Sequence, residues 1–504
     1  MTIDTRNLNA AIAVTRFGLG ARPGEIDQAA NDPLGWLKSQ IRREGADQPL
    51  PSAYPLPVRP FVRAQFIAGA KPTGQGMMDM TLAPPAPPSP TDLVYQPSDR
   101  LPTMQAAFRT FGDYQQQQKA AKDDPMLRRQ AVAPLLELAG EEILARTRLA
   151  ATTPAGFRER WTLFWSNHFT MAAKGLPETV AVGPFEREAI RPHVFGRFQD
   201  LLIASSSHPG MLLYLDQAQS IGPNSQAGLR RGGKAGLNEN LGREIMELHT
   251  VGADAGYTQA DVTEFARALT GWSMGGANGP PEQEGAFVYR ANFHEPGART
   301  IMGKTYPDLG QDQALVVLKD LAANPHTADH LARKIAIHFV ADDPPPALVA
   351  RLRSAYLESR GDLAVVAAAL ISAPESWEPA PRKFKTPYEY LVSAYRAADA
   401  APRDPAKEIN QPLAALGQRP FTAPQPNGWS ETAADWAAPD AVVKRLTWAQ
   451  GFANAYAPQT PPPDEAKAVL GARLGDKTLT AVTRAESRPE AFAILLMSPE
   501  FQRR

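Results

Sequence analysis

From residue 103 onward one pattern repeats along the chain: apolar residues at spacings of three and four, in segments rich in Ala and Leu. That spacing gathers apolar side chains on one stripe of a 3.6-residue helix, and it is the wrong period for a sheet. It predicts helices over 4–16, 31–41, 103–121, 125–151, 155–170, 196–205, 239–251 and 259–272. Further helices are expected over 311–323, 326–340, 346–359, 361–372, 385–398, 438–456 and 488–498. Only Ala286-Phe287-Val288-Tyr289 reads as strand, with Arg299-Thr300-Ile301-Met302 as a hairpin partner. The fold class that follows is mainly α: one large multi-helical domain, 4–48 with 103–500, carrying at most one short β-hairpin. Residues 49–102 break the pattern with 13 prolines in 54 residues, including Pro84-Pro85-Ala86-Pro87-Pro88. Proline lacks the N–H that a helix interior needs, so this segment is expected to be an extended or disordered insertion. Its role is either that of a plain surface loop or that of a lid or partner-docking segment. No repeat of fixed period runs through the chain.

The 504 residues suffice for one large core or several ordinary ones. Lys+Arg and Asp+Glu both number 53, so no basic field exists to hold nucleic acid or an anionic membrane. Cysteine is absent, which excludes disulfides, thiolate metal sites and a cysteine nucleophile. The longest apolar run, Leu363 to Ile371, is nine residues and too short for a membrane span. Near the N-terminus, Ala10 to Val14 between Arg6 and Arg16 is too short for a signal-peptide core. The expectation is a soluble protein, cytoplasmic as written.

The most chemically suggestive stretch is Asn238-Glu239-Asn240-Leu241-Gly242-Arg243-Glu244-Ile245-Met246-Glu247-Leu248-His249. On a helix, Asn240, Arg243, Glu244 and Glu247 fall within an arc of roughly 100°, with Leu241, Ile245 and Leu248 beside it. Neighbouring carboxylates at Glu244 and Glu247 can share a proton, raise one pKa or hold a divalent metal. Arg243 could serve as an anion clamp or neutralise Glu247 in a structural pair. His249 points about 160° away from Glu247, and no Glu-x-x-His di-iron signature is present.

All eight histidines lie between His168 and His338, which favours one polar centre in the middle of the chain. His168 shares a helix face with Phe157, Trp161, Phe164 and Trp165, so it is expected to be buried. It is either a core histidine bonded to backbone or a general base or ligand. Asp216, after the apolar run Met211 to Leu215, is a helix-end residue or a site carboxylate. His294 follows the strand-like stretch but has no second histidine at metalloprotease spacing. Arg267 reads as a partner for Asp261 or Glu264, with a substrate clamp as the alternative. Gly228 to Ala235 falls short of a phosphate loop, having no Ser/Thr after Lys234 and no preceding strand. Phe17-Gly18-Leu19-Gly20 is a helix end and turn.

These motifs, taken in order, resemble a bacterial family known as domain of unknown function 1800. The resemblance is carried by Arg16-Phe17-Gly18-Leu19-Gly20, Trp165-Ser166-Asn167-His168-Phe169 and Arg187-Glu188-Ala189-Ile190-Arg191-Pro192. It continues through His208-Pro209 with Tyr214-Leu215-Asp216, Asn238-Glu239-Asn240 with Arg243-Glu244 and Glu247-Leu248, and Asp261-Val262 with Ala266 to Trp272. Lys385-Thr386-Pro387 and Gly428-Trp429 complete it. The resemblance implies an α-helical bacterial protein and brings no established reaction. It also implies a gene neighbour from another uncharacterised family (domain of unknown function 1501), similar to sulfatases and alkaline phosphatases and often bearing an export signal. Many relatives carry such signals and this chain departs from them, which leaves periplasmic export as a passenger on a folded partner.

Two functional expectations follow. One is a helical enzyme doing hydrolytic or related acid–base chemistry, metal-assisted or metal-free, at His168, Glu244, Glu247 and Arg243 with Asp216 and His294. The other is a non-catalytic accessory subunit of a sulfatase- or phosphatase-like protein, with the same residues as a buried structural network.

Overall fold

Short polar side chains and prolines start the helices. Asp124 accepts hydrogen bonds from the backbone of Met126 and Leu127 at 2.9 and 3.2 Å, and Pro125 opens the helix Pro125–Thr152. Reciprocal capping boxes start Gln259–Leu269 at Thr258 and Pro387–Ala397 at Thr386, where Glu389 closes the box. The computed structural model describes residues 3–51, 101–122, 124–232, 236–276 and 279–504. Most of the proline-rich insertion, residues 52–100, and Lys234 of the glycine-rich loop lie outside the described residues.

All fifteen expected helices are present, with ends displaced by a few residues. The structure adds helices that the apolar pattern does not announce, among them Leu176–Phe185, Pro209–Tyr214, Pro462–Leu470 and Asp476–Arg484. Leu176–Phe185 is apolar nearly all round and contains Pro184, so it offers no amphipathic period to read. Three helices run on into π-turns, at Ala13–Phe17, Glu186–Ile190 and Ile245–His249.

The β content differs from expectation in its pairing. Phe287–Tyr289 pairs antiparallel with Trp272–Met274, while Arg299–Ile301 pairs with Lys304–Tyr306. Two small sheets therefore stand in place of one hairpin. Gly271 at φ +90° ends the preceding helix and turns Trp272 into the core, where it meets Phe287. Met302 and Gly303 both have positive φ, giving the two-residue reversal that closes Arg299–Tyr306 on itself. Methionine is an unusual residue there, which hid the turn.

The helices enclose two main apolar cores in a single large domain. The larger contains Phe157, Trp161, Trp165, Phe198, Phe265 and Phe339. The second is built mainly by the C-terminal helices around Tyr390, Leu391, Phe452 and Leu496, and Leu19 and Leu144 reach into it from the N-terminal half. Phe421 packs against both. Helices Met104–Ala121 and Pro125–Thr152 pack on each other, and residues 125–130, where the second begins, are all exposed. Among the described residues no helix is long and apolar enough to cross a membrane.

Candidate active site

The polar stripe that stands out in the sequence lies on a partly exposed helix face. Arg243 turns to Glu239 rather than Glu247, with an Nη2–Oε2 distance of 3.1 Å. An acid four residues before the base is the favoured order on a helix, and Gln259 and Thr263 also donate to Glu239 at 2.7 and 2.6 Å. Partial burial, then the neighbouring Glu247, raises the pKa of the Glu244 carboxyl. Tyr257 lies against Glu247, and burial followed by that charge raises the phenol. The Tyr214 hydroxyl is buried without a partner, and burial and Glu244 push its pKa up to about 12. Lys174 covers the Tyr214 ring, 4.2 Å from its centre.

Asp216 is exposed in a left-handed conformation at φ +58°, and its carbonyl accepts from Asn238 Nδ2 at 3.2 Å. His294 is buried elsewhere: Nδ1 donates to the Thr270 carbonyl at 2.9 Å and Nε2 lies 3.6 Å from Asp308. Arg267 pairs with Glu264, which also meets Arg299 at 3.2 Å. Among the described residues no group of three His, Cys, Asp or Glu is placed to hold a metal ion, so Glu244 and Glu247 have no third ligand of these types.

Three of the eight histidines meet at the larger core. His168 is sealed among Phe164, Trp165, Phe169 and Phe198, and its ring centre lies 6.0 Å from that of His249 and 6.3 Å from that of His330. Its Nε2 donates to the His249 carbonyl at 3.1 Å, leaving Nδ1 without a partner. The π-turn Ile245–His249 brings His249 to this cluster, and both its ring nitrogens are unpartnered. His330 donates from Nε2 to the Leu248 carbonyl at 3.0 Å. Burial, then Lys334, pulls His168 well below the usual imidazole range, His249 to about 3 and His330 to about 4. These rings are neutral at pH 7.

His330, Lys334 and His338 follow one another at i, i+4 and i+8 on helix Pro325–Phe339, so all three share a face. At its far end His338 Nδ1 lies 2.8 Å from Glu431 Oε2. Burial keeps His338 neutral against the pull of Glu431. Burial opposes ionisation of Glu431, but His338 and Lys383 outweigh it and hold the carboxyl near 2. Nδ1 therefore carries the proton and donates it to a carboxylate, and Nε2, which has no hydrogen-bond partner, carries a lone pair.

His338 and Glu431 also line a cavity of about 120 Å³ between the two cores. Arg160, Asn167 and Glu389 form much of its polar wall. Asn167 fixes the loop that carries Glu431: its Oδ1 accepts from the Trp429 backbone at 2.8 Å, while Nδ2 donates to the Trp429 carbonyl at 2.9 Å and to Glu431 at 3.2 Å. Gly428 makes this fit, because a Cβ there would stand 2.5 Å from the Asn167 carbonyl oxygen, at φ +84°. Arg160 pairs with Glu389 and donates from Nε to the Gly18 carbonyl at 2.6 Å. The second oxygen of Glu389 caps Thr386. Four of the sequence motifs, at 16–20, 165–169, 385–387 and 428–429, thus converge on one cavity.

None of the six residues singled out from sequence lines that cavity. His338 and Lys334 carry no motif of their own, and the clustering of histidines between 168 and 338 is the only signal that could have pointed to them. Glu431 and Arg160 had no such signal, because their partners are hundreds of positions away or in separate helices. No curated protein and no solved structure matches the chain. The model of the family described as "Protein of unknown function (DUF1800)" matches residues 12–503. The chain belongs to the DUF1800 family.

Proposed function

We propose that this protein is an acid–base enzyme, hydrolytic in reaction class, that works at the cavity between its two cores. His338 is the general base and Glu431 the residue that orients it. The observation carrying this reading is the 2.8 Å His338–Glu431 contact on the cavity wall, with Nε2 left unbonded. A neutral imidazole fixed through Nδ1 by a carboxylate can take a proton from water or a hydroxyl at Nε2 and return it to a leaving group. Burial lowers the Arg160 pKa only to about 10, so it keeps its charge at pH 7 beside the site.

The test is hydrolysis of a panel of chromogenic phosphate, sulfate and carboxylate esters. His338→Gln should lower turnover by about 10²–10⁴-fold, the usual contribution of a general base, while the melting temperature stays close to that of the parent. Turnover that survives the substitution would refute the assignment.

The second reading, an accessory subunit that docks a sulfatase- or phosphatase-like protein, draws support from the helix Pro125–Thr152. Met126, Leu127 and Leu136 expose 65, 40 and 55 % of their surface there, apolar area that a partner could cover. Loss of co-purification of such a partner in a Met126→Asp/Leu136→Asp double variant would favour it.

A further inference from the structure

The three carboxylates on the cavity wall, Glu186, Glu389 and Glu431, are already committed. Glu186 accepts from Arg191 at 2.7 and 3.0 Å on one oxygen and from Arg146 at 2.8 Å on the other. One oxygen of Glu389 accepts from Arg160 and, at 2.9 Å, from Arg504; the other accepts from the Thr386 amide at 3.0 Å and Arg504 Nε at 3.3 Å. Glu431 accepts from Asn167 on one oxygen and from His338 on the other. Burial opposes ionisation of Glu186 and Glu389, but the guanidiniums outweigh it, holding Glu186 near 2 and Glu389 well below the carboxylate range. All three carry charge at pH 7, and every one of their oxygens already accepts a hydrogen bond.

Arg160 is the opposite case. It is 1 % exposed and lines the same cavity from helix Gly156–His168. Nε donates to the Gly18 carbonyl and Nη1 to Glu389, which fixes the planar group, while Nη2 is buried with no hydrogen-bond partner among the described residues. Glu389, its ion-pair partner, is shared with Arg504, so two guanidiniums draw on one carboxylate. A buried charged donor without an acceptor is costly, and a guanidinium held in plane is the side chain suited to recognising an oxyanion. Leu163, Val182, Phe185 and Phe421 supply apolar wall. At about 120 Å³ the space approaches the roughly 150 Å³ that holds a benzene, a molecule of six heavy atoms.

We infer that this cavity binds a small monocarboxylate, with its carboxylate on Arg160 Nη2 and its apolar body against Leu163, Val182, Phe185 and Phe421. One unbonded guanidinium nitrogen answers one negative charge. A phosphate dianion would instead bring a second charge toward three ionised carboxylates. As the substrate class of the acid–base enzyme proposed above, the inference rests on that reading, because His338 lines the same cavity and would act on a bond elsewhere in the bound molecule. Binding itself needs only Arg160 and the apolar wall.

The experiment is isothermal titration of the intact protein at pH 8 with isobutyrate, its neutral counterpart isobutyramide, methyl sulfate and inorganic phosphate. Isobutyrate should bind about 10–100-fold more tightly than isobutyramide, the margin of a hydrogen bond to a charged group, and more tightly than the other two anions. Ser166 also lines the cavity, and its hydroxyl has no hydrogen-bond partner among the described residues. Ser166→Leu therefore fills the space without breaking a bond and should weaken isobutyrate by about tenfold or more, as should Arg160→Lys where that variant folds. Equal binding of acid and amide, tighter binding of phosphate or methyl sulfate, no binding of isobutyrate, or parental affinity in Ser166→Leu overturns the inference. Ester turnover separates this from the acid–base reading. Isobutyrate binding in a protein that hydrolyses none of the esters removes that reading and keeps the carboxylate site, whereas His338-dependent turnover without isobutyrate binding does the reverse.

Discussion

Acid should loosen this fold from within its histidine cluster. His249 is 2 % exposed, with burial and then Lys334 holding it near pKa 3. In the unfolded chain it returns to about 6.5. Because the folded value is the lower one, the unfolded state binds the proton first as pH falls. Stability is full above about pH 6.5 and declines continuously toward pH 3. At pH 5 the unfolded imidazole is protonated and the folded one is not. Taking 1.5 pH units at 1.36 kcal/mol per unit, His249 alone costs about 2 kcal/mol there. His168 and His330 act in the same direction. For a protein whose net stability is of the order of 5–15 kcal/mol, this is a large loss. The assay is urea unfolding at pH 7, 6 and 5, beside the variant His249→Leu. Neither His249 ring nitrogen has a hydrogen-bond partner, so the variant gives up no bond and removes one titration. Its fall in stability between pH 7 and 5 should be smaller than the parent's by about 2 kcal/mol. Equal falls in the two proteins, or a parent indifferent to pH in this window, would refute the reasoning.

Two further outcomes follow from packing. Gly428→Ala should lower the melting temperature more than Gly417→Ala, since both glycines have positive φ but only Gly428 has atoms within contact of a new Cβ. The φ strain common to both is about 1–2 kcal/mol, and thermal melts of the two variants side by side isolate the clash with Asn167. Arg191 is wholly buried between Glu159 and Glu186, 2.7 Å from each, so Arg191→Met should cost about 3–5 kcal/mol by stranding two carboxylates, read as a shift of the urea midpoint. Arg243→Gln breaks a pair that is 38 % and 28 % exposed and should cost under about 1 kcal/mol in the same assay.

The helical architecture was legible because it depends on local spacing. The runs 311–323 and 346–358 show their apolar face within a few turns of chain, and Asp, Thr and Pro mark where helices start. What stayed hidden depends on contacts between distant segments or on backbone departures that composition does not record. The π-turn at Ile245–His249 is one such departure. An ordinary helix sets His249 about 160° from Glu247, with nothing to indicate that His249 would join His168, 81 positions away, in one cluster. The spacing of Glu239 and Arg243 was present in the sequence, but Gln259 and Thr263 decide that Glu239 and not Glu247 takes the arginine.

The placement of the motifs bears on which functional reading is stronger. Those at 16–20, 165–169, 385–387 and 428–429 build the cavity, and much of their chemistry is spent on backbone: Asn167 on Trp429, Ser393 on Leu19, Arg160 on Gly18. The motifs at 238–248 and 261–272 build the outer acidic face, where Glu239 and Glu264 serve as hubs for neighbouring side chains. The histidine centre lies between the two regions, with His168 from one and His249 from the other. There the structure leaves His168 Nδ1, both nitrogens of His249 and His338 Nε2 without hydrogen bonds. Buried polar atoms without partners each cost about 1–3 kcal/mol, and others lie elsewhere among the described residues, at Gln217, Glu375, Glu465 and Arg473. Three of the residues that carry such atoms, Arg160, Ser166 and His338, line the cavity, which is why the proposed acid–base reading is tested there and not on the acidic helix.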